Sequence, residues 1–211
     1  MRVKICGVTN SGDADEAAKL GAWAIGLVHY EQSPRRCDPA VAAEIGASLR
    51  RRCEVVGVFV NPTLGAVEDA VRNEGLTMVQ LNGGEGPSLC TEIARRTGAK
   101  VIKAIHVSTG ADVPAAEAYR TDFHLFDTRR SGLWGGTGES FDWDLVARRR
   151  SSVPMILSGG LRPETVAGAI DLTHPFAVDV ASGVEAEPGR KDHAKLSAFF
   201  EAAGSATRSV A

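Results

Sequence analysis

The sequence predicts an α/β fold: one domain over residues 1–211, closed into a (β/α)8 barrel. Three observations carry this. Short apolar runs alternate with helix-period segments from end to end, giving eight β/α units of roughly 26 residues each. The runs lack polar alternation, as strands covered on both faces of a parallel sheet do. No linker, low-complexity tract or composition break divides the chain.

The elements follow in order. Val3–Cys6 stops at Gly7 and precedes a helix over Ser11–Leu20. Ala24–Val28 leads into a long loop, Tyr30–Asp38, before a helix over Pro39–Arg51. Val55–Val60 ends at Asn61, and Leu64–Asn73 has helical spacing. Met78–Leu81 is followed by Pro87–Thr97, and Val101–Ile105 by Ala111–Tyr119. Phe123–Phe126 closes at Asp127, and a second long loop, Thr128–Ser140, precedes a helix over Phe141–Arg149. Met155–Leu157 stops at Ser158-Gly159-Gly160, and Arg162-Pro163-Glu164 opens a helix over Pro163–Ile170, proline being tolerated in a first turn. Phe176–Val180 stops at Ala181-Ser182-Gly183, and a helix over Lys191–Ala202 ends the pattern.

Composition sets further bounds. Hydrophobic residues make up 44% and charged residues 24%, with a formal net charge of −2, which points away from nucleic acid as a partner. No apolar run approaches the ~20 residues of a membrane span, and MRVKICGV lacks the core of a signal peptide. The four cysteines form no C-x-x-C pair and suit reduced thiols in the cytoplasm. No cluster has metal spacing, and Walker and Rossmann glycine patterns are missing, so neither a metal nor a nucleotide cofactor is expected.

Two successive strands ending in Ser/Gly, at Ser158–Gly160 and Ser182–Gly183, offer backbone N–H groups to a phosphate. In (β/α)8 barrels a phosphate site commonly follows the last two strands. The plainer alternative is that these glycines only permit tight turns.

Polar residues on strands that should be apolar mark the rest of a site, since burying them unpaired costs free energy. Lys4 and Cys6 share one face of the first strand, Gln80 and Asn82 one face of the fourth, and Lys103 lies within the fifth. Asp127 ends the sixth strand, and Asp179 sits between Val178 and Val180 in the eighth. If the valines face the helices, Asp179 points into the barrel beside Lys4 and Cys6, because the first and eighth strands are neighbours. A buried ion pair that only fixes packing, an inert core thiol and a turn-capping Asp127 are the structural alternatives. The place of Cys6 at a strand end, next to a lysine able to lower its pKa, favours chemistry. A thiol and a carboxylic acid facing each other suit general base and general acid work.

These residues, with their neighbours, resemble one family along nearly the whole chain. The stretches are Lys4-Ile5-Cys6-Gly7 with Thr9, Gly26-Leu27-Val28 through Ser33-Pro34-Arg35, Val56 to Asn61, and Val79-Gln80-Leu81. They continue with Asp127-Thr128, Gly135-Gly136-Thr137-Gly138 with Phe141-Asp142-Trp143, Leu157 to Leu161, Val178 to Glu185 and Gly189 to Asp192. Together they resemble phosphoribosylanthranilate isomerase, a TIM barrel of the ribulose-phosphate-binding type. The resemblance implies a cofactor-free Amadori rearrangement in tryptophan biosynthesis, acting on a small phosphosugar. It implies Asp127 as the acid that opens the ribose ring and Cys6 as the base that takes the C2 proton. It further implies Arg35 on the anthranilate carboxylate, Asp179 near the amino nitrogen, and Lys4, Gln80 and Asn82 around the substrate. Backbone at Gly136, Thr137, Gly138, Gly159, Gly160, Ser182 and Gly183 would hold the phosphate. One departure is Asn82, where the family usually carries His; Asn still hydrogen-bonds but is no acid or base near neutrality. Two other readings compete. A histidine-pathway phosphoribosyl isomerase would carry Asp where this chain has Cys6, and a non-catalytic phosphosugar-binding barrel would not need both Cys6 and Asp127.

Overall fold

The computed structural model describes residues 1–127 and 143–206. Eight parallel strands close into a barrel in chain order: β1 Arg2–Cys6, β2 Ala24–Val28, β3 Glu54–Phe59, β4 Met78–Leu81, β5 Lys100–His106, β6 Phe123–Asp127, β7 Met155–Ser158 and β8 Ala177–Val180. Each lies within about a residue of its apolar run, because turn residues end both the run and the ladder.

Register fixes what faces what. Lys4 pairs with Asp179 across β1 and β8, and Cys6 with Gly26 across β1 and β2. One side-chain layer fills the barrel, with Cys6, Ala24, Val56, Val58, Met78, Ile102, Leu125 and Ile156 among its members. The other, with Val3, Ile5, Val178 and Val180, packs against the helices. The barrel's N-terminal end is plugged by Trp23, Phe123 and Phe176, whose ring centroids are 5.2–5.6 Å apart. Burying each such ring contributes on the order of 1.5–3 kcal/mol.

The first four helices, α1 Ser11–Lys19, α2 Pro39–Leu49, α3 Leu64–Glu74 and α4 Pro87–Thr97, start and stop where their caps dictate. Asn10, Asp38 and Thr63 accept backbone N–H bonds at three N-termini, and Gly75 and Gly98 end α3 and α4 in the left-handed region. Further on the helices depart from the expected spans. Ala111–Tyr119 breaks into a short α5, Asp112–Ala115, and a 3-10 turn, and α6 covers only Asp144–Ala147 among the described residues. Pro163 does not start α7, which runs Val166–Thr173: Arg162–Thr165 form a separate turn, and Thr165 at φ −115° interrupts the helical path. Lys191 is not helical either. It belongs to a small antiparallel hairpin, β9 Glu185–Glu187 and β10 Arg190–Lys191, and α8 begins at His193 and runs to Ala206.

Candidate active site

The site gathers at the C-terminal mouth of the barrel, where strand ends bring distant residues together. Cys6, Gln80, Asn82, Asp127, Ser158–Gly160, Asp179 and Ser182–Gly183 line one cavity. Residues 159–160 and 182–183 therefore adjoin, although they come from different β/α units. Gly159 and Gly160 have φ of 95° and 66°, a path closed to most side chains. A Cβ on Gly183 would overlap the Leu161 carbonyl oxygen, so glycine is what lets the two turns meet. Gly136, Thr137 and Gly138, expected to complete the phosphate grip, lie outside the described residues. A larger cavity, at the opposite end of the barrel near Met155 and Phe176, is remote from these groups.

At the centre Lys4 Nζ donates to Asp179 Oδ1 at 2.6 Å, and Ser158 Oγ donates to Asp179 Oδ2 at 3.0 Å. Lys4 has no exposed surface and Asp179 is 5% exposed. Burial opposes the charge on Lys4, but Asp179 and the Cys6 sulfur beside it outweigh that and hold its pKa above the usual lysine value.

The thiol itself corrects one expectation. Lys4 does act to lower the pKa of Cys6, and Lys191 adds to that, yet burial, reinforced by Asp179, wins and pushes the thiol up. In the free enzyme the thiolate is the minority form at neutral pH.

Gly26 leaves the space in which the thiol sits. A Cβ there would come within 2.9 Å of Cys6 Sγ and 3.1 Å of Lys4 Nζ. Gly26→Ala should displace the thiol and lower kcat on the order of 10²-fold, since misplacing a reacting group by about 1 Å costs that much. Turnover by the folded variant checks this; unchanged turnover would show that the neighbours yield without consequence.

Asp127 ends β6 with 8% exposure, across the ladder from His106. His106 Nδ1 is 3.8 Å from Asp127 Oδ2, and its Nε2 is 3.2 Å from the Asn82 carbonyl oxygen. His106 carries no signal in the sequence beyond its place at a strand end. Gln80 Nε2 donates to Asn82 Oδ1 at 2.8 Å, and Gln80 Oε1 is buried with no partner among the described residues. Lys103 faces away from the site: its Nζ is held by Glu85 at 2.8 Å and by the carbonyls of Leu81 and Gly83.

Arg35 reaches the mouth from the β2–α2 loop, which a bridge between Val28 and Arg36 ties to the barrel. Its guanidinium forks onto Glu185, with Nε at 2.8 Å from Oε1 and Nη2 at 2.6 Å from Oε2. Gly7, at φ 72°, lets it pass, because a Cβ there would be 2.7 Å from Arg35 Cδ. Lys191 Nζ lies below, donating to the carbonyls of Cys6 at 2.6 Å and Ala181 at 3.2 Å and to Glu185 at 3.0 Å. Asp13 pins this hairpin to α1 by accepting from the Lys191 backbone N–H at 2.8 Å and pairing with His193 at 2.9 Å. Among the described residues no cluster of His, Cys, Asp and Glu could hold a metal ion.

The chain is similar to known proteins along nearly its whole length. Residues 3–202 match the family model described as N-(5′-phosphoribosyl)anthranilate isomerase. The enzyme of that name from Geobacter sulfurreducens is 41% identical over 203 residues, 96% of this chain and 98% of that one. Its counterpart from Acidithiobacillus ferrooxidans is 44% identical over 201 residues, 94% and 95% of the two chains. The crystal structure of the Thermotoga maritima phosphoribosyl anthranilate isomerase superposes with a TM-score of 0.89 at 44% identity, covering 97% of this chain and 99% of that one. A structure of a phosphoribosyl anthranilate isomerase in complex with reduced 1-(o-carboxyphenylamino)-1-deoxyribulose 5-phosphate superposes with a TM-score of 0.85 at 42% identity, with the same coverage.

Proposed function

The chain belongs to the N-(5′-phosphoribosyl)anthranilate isomerase family, and from that premise we propose how its residues divide the work. The reaction is the Amadori rearrangement of N-(5′-phosphoribosyl)anthranilate to 1-(2-carboxyphenylamino)-1-deoxyribulose 5-phosphate, a step of tryptophan biosynthesis. Asp127, protonated, gives its proton to the ribose ring oxygen; the C1–O bond breaks and a Schiff base forms between C1 and the anthranilate nitrogen. Cys6, as thiolate, takes the C2 proton, and the electron pair moves into the C1–C2 bond to give an enolamine. Ketonisation then returns a proton to C1 while the C2 hydroxyl gives up its own, which leaves the carbonyl at C2. Protons given and taken balance over the cycle.

The observation that carries this reading is one cavity lined by Cys6, Asp127 and both glycine turns. A phosphate at Gly159–Gly160 and Ser182–Gly183 would leave the sugar carbons above the thiol and the acid, and Asp179 would face the nitrogen. Arg35 is assigned to the anthranilate carboxylate, a guanidinium being the group that forks onto carboxylates. Substrate is a small phosphosugar and not nucleic acid. No helix among the described residues is long and apolar enough to cross a membrane, and we place the reaction in the cytoplasm, in one domain spanning the chain, with no metal or cofactor taking part.

Arg35→Ala tests the binding half of the proposal. Loss of a charged hydrogen-bonding partner is worth about 1.5–3 kcal/mol, so KM should rise on the order of tenfold or more. An unchanged KM would remove Arg35 from carboxylate recognition.

A further inference from the structure

We propose that Glu185 is a positioning residue for recognition of the substrate's carboxylate, holding one edge of Arg35 so that the other is presented to the ligand, while Lys191 neutralises the charge that Glu185 brings. The proposal rests on the reading of Arg35 given above.

A guanidinium has five N–H groups. Glu185 takes the Nε–H and one N–H of Nη2, at 2.8 and 2.6 Å. That leaves three, both N–H groups of Nη1 and the second of Nη2, and one from each nitrogen makes the fork needed for another carboxylate. Arg35 stands on a loop, and a long side chain held by nothing would lose several rotatable bonds of freedom on binding. Held in advance, it does not.

A carboxylate next to Arg35 would ordinarily repel the substrate's own. Lys191 removes that objection. Its Nζ finds three acceptors, Glu185 Oε1 and the carbonyls of Cys6 and Ala181, at 2.6–3.2 Å, which uses every N–H of an ammonium. Arg35, Glu185 and Lys191 together carry one net positive charge, next to the strand end that bears Cys6. Glu185 also accepts from the Gly189 N–H at 3.3 Å, so the hairpin shapes itself around this one carboxylate. Burial opposes the Glu185 charge, but Arg35 and Lys191 outweigh it and keep the carboxyl below the usual range.

The test is a double-mutant cycle on purified, folded enzyme: Arg35→Ala, Glu185→Gln and the pair. If Glu185 acts through Arg35, each single change raises KM for N-(5′-phosphoribosyl)anthranilate on the order of tenfold, with kcat within about threefold, and the pair is no worse than Arg35→Ala alone. With the aniline analogue, which lacks the carboxylate, the KM effect of Glu185→Gln should vanish. A merely structural Glu185 would give additive losses, falling on kcat and on both substrates alike, and that overturns the proposal. So does an unchanged KM in Glu185→Gln when Arg35→Ala raises it. Should Arg35→Ala leave KM unchanged, the Arg35 reading itself fails. If Glu185→Gln does not fold, Glu185→Asp keeps the charge but draws it back by one methylene. It should then raise KM about threefold for the carboxylate substrate alone, losing part of one charged hydrogen bond, and no change would overturn the proposal.

Discussion

Cys6→Ser and Asp127→Asn are each expected to lower kcat by roughly 10²–10⁴-fold, the usual worth of a positioned base or acid, with the fold intact. Neither change disturbs packing much. Serine is nearly isosteric with cysteine, and Asp127 ends its strand at the rim of the cavity. The losses should fall on different steps, since ring opening requires a proton from Asp127 and tautomerisation requires the Cys6 thiolate. Because burial raises the Cys6 pKa, kcat/KM of the parent should climb with pH through neutrality as thiolate accumulates. A flat profile for the parent would show that no thiol ionisation gates turnover.

The second large effect is on stability. Lys4 is wholly buried, and its ammonium is 2.6 Å from Asp179. Asp179→Asn leaves that charge uncompensated and should destabilise the fold by about 3–5 kcal/mol, measured by urea unfolding. Lys4→Met with Asp179→Leu should recover much of this, because a buried pair replaced by apolar groups of similar volume costs little, yet the double variant should remain inactive. An Asp179→Asn protein as stable as the parent would mean that water or another group solvates Lys4. The same pair sets an alkaline limit. Lys4 has its pKa raised by folding above 10.5, so its contribution is fully present below the unfolded value and is lost as pH rises through the folded one.

The barrel was legible because two simple rules cover it: apolar runs become strands, and Gly, Asn, Ser or Asp end them. The facing of Lys4, Cys6 and Asp179 followed from strand alternation and from closure, which makes β1 and β8 neighbours. Lys103 shows where that logic thins. Both faces of β5 are apolar, so alternation does not say which one turns inward, and Lys103 turned outward to Glu85. The hairpin at Glu185–Lys191 was invisible for a different reason. Glu-Ala-Glu-Pro-Gly-Arg-Lys has no apolar period, and the partners of its charged residues, Cys6, Asp13 and Arg35, are 150 or more positions away. The direction of the Cys6 shift was equally hidden. A lysine two residues off is plain in sequence, whereas burial of the thiol is a property of the folded barrel.

Single turnover of N-(5′-phosphoribosyl)anthranilate, generated in situ and carrying deuterium at C2, tests the division of labour most directly. In Cys6→Ser, removal of the C2 proton becomes rate-limiting, so a primary isotope effect should be fully expressed. In Asp127→Asn, ring opening limits and the effect should disappear. An isotope effect in Asp127→Asn with none in Cys6→Ser would contradict the assignment of base and acid, as would near-full turnover by folded Cys6→Ala.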